Sequence, residues 1–358
     1  MSYSTNPTTP RYQTPWEQAR PAPPLSAIKH LTQRPSPPAS APPRQSGNRR
    51  VVLDHQKAAF DKLLAVGRAC FAINKHDLPI RPRSNTLIVG PSGSGKSMLA
   101  RAVSEEIIGE PKAFLGIGVA DWILLGCTQR GAVPTWPMIC RFLIKHANSE
   151  GVVIFLDEID KIAGATSWES FLRTEIFLLL DNHIPFGIRS NDSDDDDDKT
   201  GEPQINEKSL AIAQQTLATK TLILGAGAFQ HLWDNRAKPS LGFGGQNAPQ
   251  EPTNLNHLAA TLPRELTNRF RAELVVLPQL VESDYRRMLQ QVAESIPDAL
   301  RHTFCKMGEQ RIPEAVACCQ GCRFVEELLL DVVIAEREGK LTNPEPCTPH
   351  PEFKPSHF

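Results

Sequence analysis

The chain has 358 residues, enough for one large or two modest domains, and 40% of them are hydrophobic, which supports a real core. Its formal net charge of −1 argues against a protein whose whole surface attracts nucleic acid. No run of about eighteen apolar residues occurs, and the N-terminus lacks an apolar segment, so neither a membrane span nor a secretory signal is expected. The eight cysteines are scattered rather than framed as disulfide pairs, which predicts a reducing compartment, the cytoplasm.

Residues 1–50 contain eleven prolines and no periodic apolar pattern. Such a composition cannot bury enough surface to offset its ordering entropy, so this segment is predicted to be disordered. It carries seven Lys and Arg residues against one Glu, which leaves open a role as a docking arm for an acidic partner or nucleic acid. Residues 343–358 are similarly proline-rich and are predicted to be a disordered tail.

Between these tails, helical and strand patterns alternate. The apolar spacing predicts helices at 56–73, 96–108, 138–147 and 168–180, and strands at 86–89, 152–156 and 221–224, with a short apolar segment at 113–117. Strands that alternate with helices indicate a mainly parallel sheet covered on both faces. The sequence therefore predicts an α/β domain over 51–280, with a flexible acidic insertion at about 189–208. Helical patterns at 284–294 and 323–338 predict a small C-terminal helical lid over 281–342.

A phosphate-binding loop is predicted directly after the strand at 86–89. Glycines there would let backbone N–H groups converge on phosphate oxygens at the start of a helix. Lys96 would reach the outer phosphates of ATP, and the Ser97 hydroxyl would bind Mg²⁺. The predicted nucleotide-binding (Walker A) residues are Gly90, Pro91, Ser92, Gly93, Ser94, Gly95, Lys96 and Ser97.

An acidic pair follows the apolar strand at 152–156. Asp157 ends that strand, where its carboxylate would hold the metal, and Glu158 would orient or deprotonate the attacking water. This Walker B pair, at a suitable distance from the phosphate loop, predicts an enzyme that hydrolyses ATP to ADP and phosphate.

The chain resembles the AAA+ ATPases, and among them the branch that contains ClpX and HslU, over roughly residues 50–340. The phosphate loop and the run Asp-Glu-Ile-Asp-Lys at 157–161 carry this resemblance most specifically. Residues 52–58 are similar to the helix that encloses adenine, 222–229 to the sensor-1 strand, and 240–244 to the Gly-Phe-Gly segment after it. The resemblance implies an AAA+ P-loop NTPase core followed by an α-helical lid.

Two arginines acquire roles from the same resemblance. Arg269, in a segment starting at Pro263, resembles the finger that reaches the pocket of the neighbouring subunit, and Arg323 resembles the sensor-2 arginine near the γ-phosphate. A guanidinium at either place would stabilise the charge that builds on the γ-phosphoryl oxygens. A finger acting in trans implies a homo-oligomer, in this family usually a hexameric ring. The alternative for each arginine is an ordinary surface ion pair.

The sequence departs from the family at three places. Proline-rich sequence occupies the position of the N-terminal zinc-binding module. The pore-loop aromatic is missing from 124–130, although Trp122 and Trp136 flank this region and either could be core. Sensor 1 has Gly225-Ala-Gly227, without an obvious polar side chain to position water.

Two further patterns could carry chemistry. Cys318, Cys319 and Cys322, with Cys305 and His302 upstream, could form a zinc cluster, but the second close pair is missing and buried packing cysteines are favoured. The acidic run 194–198 is expected to be a solvated loop, or else a negative opening in a ring that attracts cationic partners.

Three functions follow for the chain as a whole. The favoured one is Mg-ATP hydrolysis coupled to unfolding or remodelling of proteins or protein complexes by a ring oligomer. The alternatives are an ATP-dependent nucleic-acid transaction factor of the loader or initiator type, suggested by the basic tail, and a slow ATP-switched scaffold, suggested by the missing pore aromatic.

Overall fold

The computed structural model describes residues 52–72, 82–127, 132–163, 167–188, 205–230, 233, 255–258 and 261–338. The N-terminal segment 1–50, the acidic run 194–198, the Gly-Phe-Gly segment 240–244 and the tail 343–358 lie outside these residues, so the predictions made for them have no structural counterpart here.

A parallel sheet of five strands forms the centre of the described structure, in the order β2-β3-β4-β1-β5. The central strands are continuous apolar runs because helices cover both faces of the sheet. The register pairs Leu87 of β1 with Gly225 of β4, and Ile154 of β3 with Ile223 of β4. The strands are β1 Thr86–Val89, β2 Phe114–Gly118, β3 Val152–Asp157, β4 Thr221–Gly227 and β5 Val275–Val276.

The helices that precede residue 280 pack their apolar faces on the sheet. Trp136, Ile139 and Leu143 of α3 are fully buried at the helical spacing of three and four residues, and they show which face of that helix meets the core. The helices are α1 Lys57–Ala72, α2 Lys96–Ile108, α3 Thr135–Lys145, α4 Ser167–Leu180, α5 Glu207–Lys220 and α6 Arg264–Thr267.

A second apolar cluster lies in the C-terminal helices α7 Glu282–Ser295, α8 Asp298–Ala317 and α9 Arg323–Arg337. Tyr285, Phe304 and Leu328 are buried in it, and Leu53 from the N-terminal side of α1 joins them. The predicted division at about residue 280 stays a proposal, which these separate clusters support.

Four of the helices and strands given above were not predicted from the sequence: α5, α6, α8 and the two-residue strand β5. The β2 segment was predicted only as a short apolar segment. Helix α5 begins at Glu207, so the last two residues of the segment expected to be a flexible insertion are helical. Of the helices described, none is both long and apolar enough to span a bilayer.

Candidate nucleotide site

The predicted phosphate loop lies between the buried strand β1 and the N-terminus of helix α2. Gly93 and Gly95 have φ angles of +78° and +84°, a left-handed conformation that a residue with a Cβ adopts only at a cost. Gly95 directly precedes α2, whose first N–H groups have no partner within the helix. The loop thus has the backbone conformation and the helix start that an anion site requires.

Lys96 is almost fully buried beneath this loop. Its Nζ donates hydrogen bonds to the carbonyl oxygens of Gly90 and Pro91, at 2.8 and 2.9 Å. Burial lowers the pKa of Lys96, and the carboxylates of Asp157 and Asp160 act in the opposite direction. The ammonium group is therefore held next to the loop by weak carbonyl acceptors, which leaves it suited to bind an anion.

Asp157 and Ser97 are brought together from elements 60 residues apart in sequence. The Ser97 hydroxyl donates to Asp157 Oδ2 at 2.6 Å, and the Glu158 N–H donates to Asp157 Oδ1 at 2.9 Å. Glu158 itself is exposed and has a φ angle of +58°, which is rare for a residue with a side chain. Such strain is found most often at functional positions, where it aims a side chain.

These groups line one cavity of about 460 Å³ between the sheet and the lid. Eight of the predicted site residues lie on its wall: Ser92, Gly93, Gly95, Lys96, Ser97, Asp157, Glu158 and Arg323. Gly90, Pro91 and Ser94 do not line the cavity but form the buried base of the loop, where the Ser94 hydroxyl has no hydrogen-bond partner among the described residues.

Two other parts of the chain support the phosphate loop, one through its backbone and one through a side chain. The Cys322 N–H donates to the Gly93 carbonyl at 2.6 Å, and Gln56 Nε2 donates to the Ser94 carbonyl at 3.1 Å. The Gly321 N–H in turn donates to the Tyr285 hydroxyl at 2.7 Å. A Cβ at Gly93 would collide with the Gln320 carbonyl oxygen, so the turn before α9 and the loop touch main chain to main chain.

Four polar residues in the cavity were not singled out from the sequence. Asp160 and Lys161 belong to the Asp-Glu-Ile-Asp-Lys run, so they could have been identified by their proximity to Glu158. Gln230 reaches the cavity just after β4, close to where a water-positioning group was sought, and Glu326 lies one turn after Arg323. Gln230 and Glu326 have no sequence pattern that would have identified them.

Arg269 lies away from this cavity. Its guanidinium forms an ion pair with Asp181 at 2.8 Å, donates to the Glu265 carbonyl at 2.6 Å and stacks over the Phe177 ring. Its carbonyl accepts a hydrogen bond from Asn85, the residue just before β1, whereas the phosphate loop begins just after β1. Four residues of strand, about 13 Å, therefore separate Arg269 from its own chain's loop.

Trp122 and Trp136 are core residues. They are 2% and 0% exposed and meet edge to face, and Trp122 Nε1 donates to Glu175 at 2.8 Å. Neither can serve as an exposed pore aromatic. The segment in which that aromatic was sought is described only as far as Cys127.

The cysteines near the lid do not assemble a metal site in the described structure. No group of three or more His, Cys, Asp or Glu side chains suited to a metal is found among the described residues. Cys318 and Cys319 are exposed, whereas Cys322 is buried, and burial raises the pKa of its thiol to about 12. No disulfide joins the cysteines in this part of the chain.

Comparison with known proteins agrees with this geometry. The family model "ATPase family associated with various cellular activities (AAA)" matches residues 86–180, which include β1, the phosphate loop and β3 with Asp157 and Glu158. This region is an AAA ATPase domain. The resemblance predicted from the motifs is thus confirmed for this part of the chain.

A curated relative extends the comparison toward the ClpX-like branch. An 87-residue segment is 39% identical to the ATP-dependent clpX-like chaperone, mitochondrial, of Saccharomyces cerevisiae. The segment covers 23% of this chain and 15% of that protein's length. An 87-residue segment of the chain is therefore similar in sequence to part of a ClpX-like chaperone, and the chain spans only 15% of that relative's length.

Proposed function

We propose that this protein is a Mg-ATP-hydrolysing AAA+ ATPase that works as a ring oligomer and remodels proteins or protein complexes. The observation that carries the proposal is the convergence of Lys96, Ser97, Asp157 and Glu158 on one cavity. A phosphate-binding cation, two oxygen ligands for a metal and an exposed carboxylate are the groups that phosphoryl transfer to water requires.

The residues fit both ATP and Mg²⁺. The left-handed glycines and Lys96 suit the phosphates, and the Ser97 hydroxyl and Asp157 carboxylate are hard oxygen donors of the kind that Mg²⁺ prefers. Bound Mg-ATP would supply the scissile phosphoanhydride and partial neutralisation of its charge. Asp157 would help to hold the metal, while the neighbouring Glu158 carboxylate would orient a water molecule and accept its proton.

The two arginines support an assembly of several copies. Arg323 lines the cavity of its own chain, so it can act in cis on the nucleotide. Arg269 lies at the N-terminal end of β1, whereas the cavity lies at the C-terminal end of that strand. Its guanidinium would therefore have to serve a neighbouring copy. Such service requires the guanidinium to leave both Asp181 and the Glu265 carbonyl; the Arg269 and Asp181 side chains are 26% and 42% exposed.

The proposed action on proteins rests on the likeness to a relative whose name describes an ATP-dependent chaperone. The described part of the pore segment, up to Cys127, supplies no exposed aromatic side chain for gripping a polypeptide. We therefore propose that the protein remodels proteins or protein complexes, and we do not propose that it threads a polypeptide processively through a pore.

The test replaces Glu158 with Gln, which keeps the side chain's shape and removes the base. We expect ATP binding to persist and phosphate release to fall about a hundred- to ten-thousandfold. Glu294→Gln, an exposed residue of α7 outside the cavity, is the matched control and should retain full turnover. Normal turnover in Glu158→Gln would remove Glu158 from this role.

The same assay distinguishes the substrate classes. Stimulation of wild-type ATPase activity by unfolded protein, with none by single- or double-stranded DNA, is the expected pattern. Stimulation by DNA alone would replace the protein-remodelling proposal with a nucleic-acid transaction factor. The Glu158→Gln protein, held in the ATP-bound state, should co-purify with its target for identification.

A further inference from the structure

A large groove lies on the far side of the sheet from β5, between the edge strand β2 and helix α3. Its volume is about 950 Å³, roughly twice that of the nucleotide cavity. Gly116, Ile117 and Gly118 form one wall, and Met138, Arg141 and Phe142 of α3 lie on the other. None of the residues assigned to the nucleotide site lines this groove.

Strand β2 has an open edge along this groove. It pairs with β3 on one side, and no other strand in the described part of the chain pairs with its outer side. Natural sheets protect such edges with charges, prolines or bulges, yet this strand reads Phe-Leu-Gly-Ile-Gly. Gly116 in the middle of the strand is exposed, whereas the place of a Cβ on Gly118 is taken by the Asp121 carboxylate.

The facing wall of the groove carries both apolar and basic side chains. Met138, Arg141, Phe142 and Lys145 recur at the spacing that puts residues on one face of a helix. Met138 is 40% exposed and Val133, just before α3, is 59% exposed. Lys112 precedes β2 at the same end as Lys145, and one carboxylate, that of Asp121, lines the groove among the described residues.

His146 does not add to the positive charge near neutral pH. Burial lowers its pKa, and Lys145 and Lys112 lower it further, against an opposing effect from Glu110. The basic side chains that give the groove its cationic character are therefore Lys112, Arg141 and Lys145.

We infer that this groove binds an acidic polypeptide segment in extended conformation, which adds as a strand to the open edge of β2. The edge supplies N–H and C=O groups for main-chain hydrogen bonds, the apolar wall accepts alternate side chains, and the basic residues select acidic ones. Nucleic acid fits less well, because the groove offers a strand edge, and Phe142 on its wall already packs its ring against His146, 4.9 Å between centroids, instead of presenting it for base stacking.

The probe is a fluorescein-labelled decapeptide in which aspartate alternates with valine, titrated with the full-length protein and followed by fluorescence anisotropy. We expect binding that weakens when salt is raised to about 0.3 M. A peptide with lysine in place of aspartate should not bind. A peptide N-methylated at alternate amides keeps the charge but cannot complete the hydrogen-bond ladder, so it should bind at least tenfold more weakly.

The protein variant is Lys112→Glu with Lys145→Glu, and the matched control is Lys208→Glu with Arg287→Glu, which makes the same charge change on α5 and α7. Reversing the charge of two lysines that would pair with peptide aspartates should weaken acidic-peptide binding about tenfold. The control variant should bind the peptide nearly as well as the wild type. Circular dichroism melting and fluorescent-nucleotide binding check that both proteins are folded.

Three results would overturn the inference. One is absence of acidic-peptide binding to wild-type protein, and another is an equal loss in the groove variant and the control. The third is binding of oligothymidylate that competes with the acidic peptide and is lost in the groove variant, which would assign the groove to nucleic acid. ATP hydrolysis takes no part in these measurements, so the outcome is independent of the proposed function.

Discussion

The contact between the lid and the phosphate loop can be tested with one methyl group, in Gly321→Ala. Gly321 has a φ angle of +65°, and a Cβ there would lie 2.6 Å from the Gly93 carbonyl carbon. An alanine in the left-handed conformation costs about 1–2 kcal/mol. Moving the two backbones apart would also break the hydrogen bond from the Cys322 N–H to the Gly93 carbonyl, a further loss of about 1 kcal/mol. We therefore expect the free energy of unfolding to fall by about 2–3 kcal/mol.

Gly187→Ala is the matched control, because Gly187 has a φ angle of +81° and no atom within 4 Å of the new methyl group. It should lose only the conformational term, about 1–2 kcal/mol. Urea unfolding measures stability, and a fluorescent ATP analogue measures affinity. We expect about fivefold weaker nucleotide binding in Gly321→Ala alone, the equivalent of the lost hydrogen bond. If both variants bind nucleotide equally well, the lid turn does not hold the loop.

Two further predictions concern the arginine finger and the buried thiols. Arg269→Ala and Lys96→Ala should each abolish hydrolysis when assayed alone. Mixing the two proteins should restore part of the activity, because the intact pocket of one copy then meets the intact arginine of another. A phosphate-release assay that shows no rescue would argue against action in trans. Iodoacetamide at pH 8 should modify exposed Cys318 and Cys319 but spare Cys140 and Cys322, since burial raises the pKa of both to about 12 and keeps them protonated. Mass spectrometry of the labelled peptides measures this, and rapid modification of Cys322 in folded protein would contradict its burial.

The elements around the nucleotide site were predictable because their signals are local. Strand β1 and helix α2 were predicted with the bounds that the structure shows, since an apolar run, a glycine-rich turn and a helical pattern follow one another without interruption. The Asp157–Ser97 contact was also implied, because both residues lie at the carboxyl ends of strands in one parallel sheet, β3 and β1, with only β4 between them.

The missed elements lack such local signals. Helix α8 contains Gly308 and Pro313, both poor helix formers, and is held instead by packing: Gly308 lies against Leu289 and Leu328 from the other lid helices. Helix α5 was missed because it directly follows a polar stretch, although six of its fourteen residues are apolar and Ala213 and Leu217 are fully buried against the core. Tertiary packing overrode weak local preference in α8.

Contacts between distant segments were beyond reach of the sequence for a different reason. The pairing of Arg269 with Asp181 joins residues 88 apart, and nothing in the pattern of either segment indicates the other. The same holds for the two tryptophans, because the sequence around them did not show whether they lie in the core or at a pore. Only the fold shows Trp122 and Trp136 packed together beneath the surface.

The backbone contact at Gly93 gives a physical route between nucleotide and lid. Because Gly93 and Gly321 touch through main-chain atoms, no side-chain rotation can relieve a displacement of either one. A shift of the loop on binding or losing a phosphate must therefore move the turn that begins α9, and with it Arg323 on the cavity wall. Tyr285, which accepts the Gly321 hydrogen bond while donating to the Ala315 carbonyl, would pass that displacement to α7 and α8. Interiors packed at this density rearrange as units rather than deform locally, so the three lid helices are expected to follow the loop as one body.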